Sequence, residues 1–210
     1  MMEDKYMNIL VFGATGKTGS IVVKMLLKKN HKVTAYVRNP AKITLAHSHL
    51  TIIEGSIENE KKLVETLSGK DMVITCLGSA NRKESNLLAN FGQVLSESMK
   101  KADVNRIIYM ASAGIHQEIK GIAGFIVNRF IGHVLKDHAA AVACFMKPGF
   151  DYTILRPMQL TDGDLTARYK TSTQGIPGNK PISRNNVAHF IVDVVEKGHS
   201  LNASIGMSGE

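Results

Sequence analysis

Glycines at 13, 16 and 19 follow an apolar run, Ile9–Phe12, and precede Ser20–Leu27, where Ile21, Val22, Met25 and Leu26 recur at helical spacing. A strand, a glycine turn and a helix in that order bind phosphate, because free backbone N–H groups and the helix dipole favour an anion at the helix start. Gly13 lets the chain turn sharply out of the strand. Gly16 leaves a pyrophosphate room against the backbone, and Gly19 lets the helix pack closely on the sheet. Gly16-Lys17-Thr18 also resembles the end of a nucleoside triphosphate loop. That loop needs a glycine five residues before Gly16, and position 11 is Val, so the spacing points to a dinucleotide instead.

Arg38 comes just after a second β-rich stretch, Lys32–Val37. In dinucleotide folds a carboxylate near this point takes the ribose 2′-hydroxyl of NAD, whereas an Arg accommodates the 2′-phosphate of NADP. Arg38 and Lys42 are present and no carboxylate lies between positions 35 and 42. The planar Arg fork matches a phosphate, so NADP(H) is the expected cofactor.

Carbonyl reduction on such folds uses a Tyr with a Lys four residues on, the Lys making the Tyr a better acid. The tyrosines are Tyr6, Tyr36, Tyr109, Tyr152 and Tyr169, and the residues four positions on are Leu10, Pro40, Ala113, Arg156 and Thr173. The pair is absent. Ser112, just after a strand, could hydrogen-bond a nicotinamide amide or a substrate carbonyl. His138, after Asp137, could relay a proton, and His116 is a weaker candidate. No Cys/His cluster has metal-ligand spacing, so no metal is expected. Cys76 and Cys144 read as free thiols of a reducing compartment.

These residues need a frame to hold them. Strands are expected at Ile9–Phe12, Lys32–Val37, Thr51–Glu54, Asp71–Leu77, Arg106–Ala111 and Tyr152–Leu155. Helices are expected at Ser20–Leu27, Glu58–Leu67, Ser85–Lys101, Gly121–Met146 with a candidate break at Lys136-Asp137, and Asn185–Lys197. Thr161–Gly178 reads as loops that leave room for a short hairpin, and Ser204–Met207 as a candidate edge strand. Alternating strands and helices with short connections give an α/β fold, a Rossmann-type doubly wound parallel sheet with helices on both faces. Ligands then bind beyond the carboxyl ends of the strands. The chain reads as a single domain over 1–210, with substrate-side elements in 114–180. Gly121–Leu135 reads as core, with a lid or partner surface as alternatives.

The net charge is +8, yet no run of like charges and no nucleic-acid-binding motif appears, so a phosphate-rich cofactor accounts for the charge more economically than nucleic acid. The most apolar stretch, Ile122–Leu135, is too short and too interrupted to cross a membrane. Met1–Met7 lacks the apolar core of a signal peptide. A cytoplasmic protein, monomeric or weakly dimeric, is expected.

Seven stretches together resemble the atypical short-chain dehydrogenase/reductase group of NAD(P)H-binding, NmrA-like proteins. They are Gly-Ala-Thr-Gly-Lys-Thr-Gly (13–19), Val-Arg-Asn-Pro (37–40), Leu-Gly-Ser (77–79), Ala-Ser-Ala (111–113), Asp-His (137–138), Asp-Tyr-Thr-Ile-Leu-Arg-Pro (151–157) and Ile-Ser-Arg-Asn-Asn-Val-Ala (182–188). Within that group the chain is most similar to the biliverdin reductase B/flavin reductase subgroup. The resemblance implies that Gly13, Thr15, Gly16, Lys17 and Thr18 hold the pyrophosphate and that Arg38 and Lys42 hold the 2′-phosphate. It implies Ser56 and Ile57 at the adenine, Leu77 and Gly78 along the ribose, Ser112 beside the nicotinamide, and Pro157 and Met158 closing over the cofactor. Ser56 stands where the group commonly has Asp, and Met158 where the flavin reductases have His. Two readings follow: an NADPH-dependent reductase of a flavin, quinone or similar conjugated small molecule, and a non-enzymatic NADP(H) sensor.

Overall fold

A computed structural model describes residues 6–78, 86–118 and 121–210. The chain runs β1 (Asn8–Phe12), α1 (Lys17–Lys28), β2 (Lys32–Val37), β3 (Leu50–Glu54), α2 (Glu60–Leu67), β4 (Met72–Thr75), α3 (Leu87–Lys101) and β5 (Arg106–Met110). It continues through α4 (Gly121–Ala143), β6 (Asp151–Pro157), β7 (Leu160–Thr161), β8 (Tyr169–Ser172), β9 (Ile182–Ser183), α5 (Arg184–Lys197) and β10 (Ala203–Gly209). Ser79 and Ser85, and residues 1–5 of the Met1–Met7 stretch, named above, lie outside the described residues.

One sheet has the order β3-β2-β1-β4-β5-β6-β10-β8. All its pairings are parallel except β10 with β8. The order reverses direction between β1 and β4, which makes a crevice beyond their carboxyl ends. Strand β1 shows why the sheet is covered on both faces. Ile9 and Val11 point into a core with Val22 and Leu26 of α1 and Val187, Ile191 and Val194 of α5. Leu10 and Phe12 point the other way, onto Leu63 and Leu67 of α2 and Phe91 and Leu95 of α3. Side chains alternate with period two, so a strand buried on both faces reads as one continuous apolar run.

Three expectations are corrected. Helix α4 runs unbroken through Lys136-Asp137. No hairpin forms in 161–178: β7 pairs with β9, and β8 pairs with β10. Strand β10 is not at the edge but sits between β6 and β8.

The unbroken course of α4 has a local cause. Asp137 is 5% exposed, and its two carboxylate oxygens accept from the Leu88 N–H at 3.0 Å and the Ala89 N–H at 2.8 Å. Helix α3 has no side-chain cap from its own N-cap residue, Asn86. Asp137 therefore caps the neighbouring helix and satisfies donors that would otherwise be orphaned. Asp137→Ala is expected to lower the unfolding free energy by about 1–3 kcal/mol, read by chemical denaturation, with Asp137→Asn less damaging because it keeps one acceptor.

Candidate functional site

The glycine turn is built by close approach. Gly13 has φ of +76°, and a Cβ there would lie 2.7 Å from the backbone carbon and oxygen of Cys76. A Cβ at Gly19 would overlap the Gly13 carbonyl, so the third glycine brings α1 against the turn itself. The Gly16 N–H donates to the Gly13 carbonyl at 2.9 Å. Gly16 is also the extended N-cap of α1. It offers no side-chain cap, and the first turn contains no acidic residue. The opening N–H groups of α1 are thus free donors beside a backbone that a Cβ would crowd.

A cleft of about 340 Å³ opens at the β1–β4 crevice, lined by Gly13, Thr15, Arg38, Ser56, Ile57, Leu77 and Gly78. Seven expected residues from four separate loops meet there. Phe12 and Tyr36 pack at a tilt in its wall with ring centroids 5.3 Å apart, and the Tyr36 hydroxyl donates to the Ser56 carbonyl at 3.0 Å. Burial raises the Tyr36 pKa, so this hydroxyl stays a donor. Tyr36, Glu58, Leu87 and Leu88 also line the cleft and were not anticipated. Tyr36 lies within a β-rich strand and reads as core, and Leu87 and Leu88 read as the stripe of a helix. Lys42 sits exposed on a short turn of 3-10 helix, Pro40–Lys42, and does not line the cleft. Thr18 is buried in α1.

A second cavity, of about 460 Å³, lies beyond the ends of β5 and β6. Ser112, Pro157 and Met158 line it together with Ile131, Leu160 and Arg184. The Ser112 hydroxyl donates only a long 3.2 Å bond to the next residue's carbonyl. Lys17 lines neither cavity; its ammonium donates to Asp162 at 2.8 Å, and the other Asp162 oxygen accepts from Arg184 at 2.6 Å. Asp162 and Arg184 were not anticipated, since nothing local marks a contact between residues 17, 162 and 184.

His138 stands apart. It is 4% exposed, lines neither cavity, and its Nδ1 shares a 3.2 Å hydrogen bond with the hydroxyl of the fully buried Tyr109. Burial outweighs the favourable pull of Asp137 and pushes its pKa down to about 4, so the ring is neutral at pH 7. His116 lies elsewhere again, its Nε2 bonded to Ser204 Oγ at 3.0 Å.

A family model described as NAD(P)H-binding matches residues 13–198. The chain belongs to this NAD(P)H-binding family. Protein TIC 62, chloroplastic, of Arabidopsis thaliana is 27% identical over 173 residues, covering 71% of this chain and 26% of that protein. This chain therefore spans only a small part of that relative's length. A short-chain dehydrogenase/reductase from Veillonella parvula, in complex with NADP, aligns with a TM-score of 0.80 and 22% identity over 97% of this chain and 95% of that one. A protein from Streptococcus pneumoniae, named as a candidate NADH-flavin reductase, aligns with a TM-score of 0.79 and 21% identity over 97% of this chain and 100% of that one. At these identities the two structures share the family's fold. Among the described residues no helix is long and apolar enough to cross a membrane.

The buried His138 makes stability depend on pH. Its folded pKa of about 4 lies below the ordinary value of 6.5, so protons bind the unfolded chain more readily. The contribution is full above about pH 6.5 and is lost as pH falls toward about 4, on the order of 3 kcal/mol in all. Denaturation midpoints should drop across that window, and His138→Gln, which keeps an acceptor for Tyr109 but cannot protonate, should flatten the drop.

Proposed function

We propose that this protein is an NADPH-dependent reductase that acts on a flavin, quinone or similar conjugated small molecule. The observation that carries this reading is the pair of cavities beyond the carboxyl ends of the strands. The first combines a glycine turn with Arg38; the second is an apolar pocket beside Ser112. The residues fit a dinucleotide. The turn leaves backbone N–H groups for a pyrophosphate, and a Cβ at Gly16 would already meet the Gly13 carbonyl at 3.1 Å. Gly13, Thr15, Gly16, Lys17 and Thr18 serve the pyrophosphate, with Lys42 supplying charge near Arg38. Ser56 and Ile57 flank the adenine, and Leu77 and Gly78 the ribose.

Bound NADPH supplies a hydride to the acceptor, and that chemistry belongs to the cofactor. The chain's own residues position and shield. Ser112 orients the nicotinamide or the acceptor through its hydroxyl. Pro157 and Met158 form an apolar wall that excludes water. A conjugated acceptor takes up charge over its own ring system, so the missing Tyr/Lys pair is no obstacle. In this reading His138 supports the core and moves no proton. The fold shared with a candidate NADH-flavin reductase supports the acceptor class.

Two outcomes test this reading. Purified protein should oxidise NADPH when FMN, riboflavin or a quinone is present, and Ser112→Ala should lower kcat more than it weakens NADPH binding. Tight NADPH binding with no turnover across such a panel would replace the enzyme with an NADP(H) sensor. For cofactor choice, a 2′-phosphate at Arg38 gains charge-assisted hydrogen bonds worth about 1.5–3 kcal/mol each. Calorimetric titration should show NADPH binding at least about tenfold tighter than NADH, with a smaller gap at high salt because Arg38 is exposed. Glu58 in the same cleft opposes the phosphate, so Arg38→Asp should abolish or reverse the preference. Equal wild-type affinities would refute it.

A further inference from the structure

We propose that the second cavity selects acceptors carrying an anionic arm, and that Arg184 receives that arm. This rests on the reductase reading above and names the substrate class of its acceptor site. The cavity wall is apolar at Ile131, Pro157, Met158 and Leu160, which suits the face of a conjugated ring. Arg184 is the one charged residue among the described residues that line it. A ring held by an apolar wall with a single cation at its border is matched by an amphiphile: a flat ring bearing a phosphate or carboxylate.

Arg184 is firmly placed. It is the first residue of α5, directly after β9. The preceding Ser183 is buried; its hydroxyl accepts from the Asn186 N–H at 3.0 Å and donates to the Asp164 carbonyl at 3.0 Å. The side chain is only 19% exposed. It has five N–H donors in a planar fork, and Asp162 takes one of them.

Asp162 shows that an anion can sit here. Its carboxylate lies between Arg184 at 2.6 Å and Lys17 at 2.8 Å. The Lys17 ammonium, and then Arg184, hold its carboxyl below the usual range even against partial desolvation. Asp162 takes one Arg184 nitrogen, so the other N–H groups of the fork remain for a second anion at the cavity's border. Asp162 is 64% exposed on a loop, and exposed ion pairs are worth little. A phosphate can therefore compete for Arg184 at small cost, and a dianion gains more from it than the single carboxylate does. A neutral acceptor gains nothing from Arg184.

FMN and riboflavin share one ring system and differ by a phosphate, so the pair isolates the arm. Flavin fluorescence would be titrated with the full chain saturated in NADP⁺, which prevents turnover. Wild type should bind FMN about tenfold tighter than riboflavin, the value of one charge-assisted hydrogen bond. Arg184→Gln should bring FMN down to the riboflavin affinity, whereas Asp162→Asn, which removes the competing carboxylate, should widen the gap. Titration of NADP⁺ into each variant checks that it is folded. Equal affinities in wild type, an unchanged gap in Arg184→Gln, or no binding of either flavin would overturn the proposal. A preference for FMN without NADPH oxidation would overturn the reductase reading and leave the anion site standing. NADPH oxidation with equal flavin affinities would do the reverse.

Discussion

The Gly13 turn is pressed against the backbone of Cys76, where a single added carbon would meet two backbone atoms at 2.7 Å. That contact fixes the geometry above the sheet. Parallel pairing of β1 with β4, from Ile9 opposite Met72 to Phe12 opposite Thr75, brings the two strand ends level. The chain can then leave β1 only by turning through a conformation that a side chain would resist. Gly19 repeats the constraint from the other side, since α1 can start where it does only if nothing projects toward the Gly13 carbonyl. The N–H groups that open α1 consequently lie beside this turn without a side-chain cap. The free donors of this turn follow from backbone packing before any side chain is considered.

Much of the first cleft was legible because its signals are local. A glycine turn between an apolar strand and an amphipathic helix is contained in Ile9–Leu27, and Arg38 is marked by its place after β2. The sheet order then gathers those local features without further information. Long-range pairings were less legible. Tyr169–Ser172 is mostly polar and exposed and reads as loop, yet it pairs antiparallel with β10. That pairing moves β10 from the edge to the interior. Its residues Ser204–Met207 carry no mark of this, because burial of a strand depends on what lies beside it. The Lys17–Asp162–Arg184 bridge joins three distant segments and shows no period or motif.

Asp137-His138 shows how a correct local feature can suggest the wrong partnership. Adjacent acid and imidazole in sequence invite a relay. On a helix, however, neighbouring residues point in different directions and do not face each other. Asp137 turns toward the start of α3 and His138 toward Tyr109. Each satisfies a buried partner, and Asp137, at the expected break in α4, anchors the start of α3. Because Leu87 and Leu88 open α3 and line the first cleft, this capping also holds part of the cleft wall.

The second cavity depends on a different kind of anchor. Pro157 ends β6 directly after Arg156, whose side chain is 3% exposed and paired with Glu118, itself 12% exposed, and Met158 follows. Burial works against the Glu118 carboxylate. Its own and Gly114's backbone N–H groups and the Arg156 guanidinium outweigh that and hold its pKa down. A second guanidinium nitrogen donates to the Ser204 carbonyl of β10 at 3.2 Å. The β5 exit loop, the end of β6 and the inserted β10 are thus tied by one guanidinium. Buried ion pairs add little net stability but are costly to break singly. Such a tie restricts where the loops that wall the second cavity can go more than it strengthens the fold.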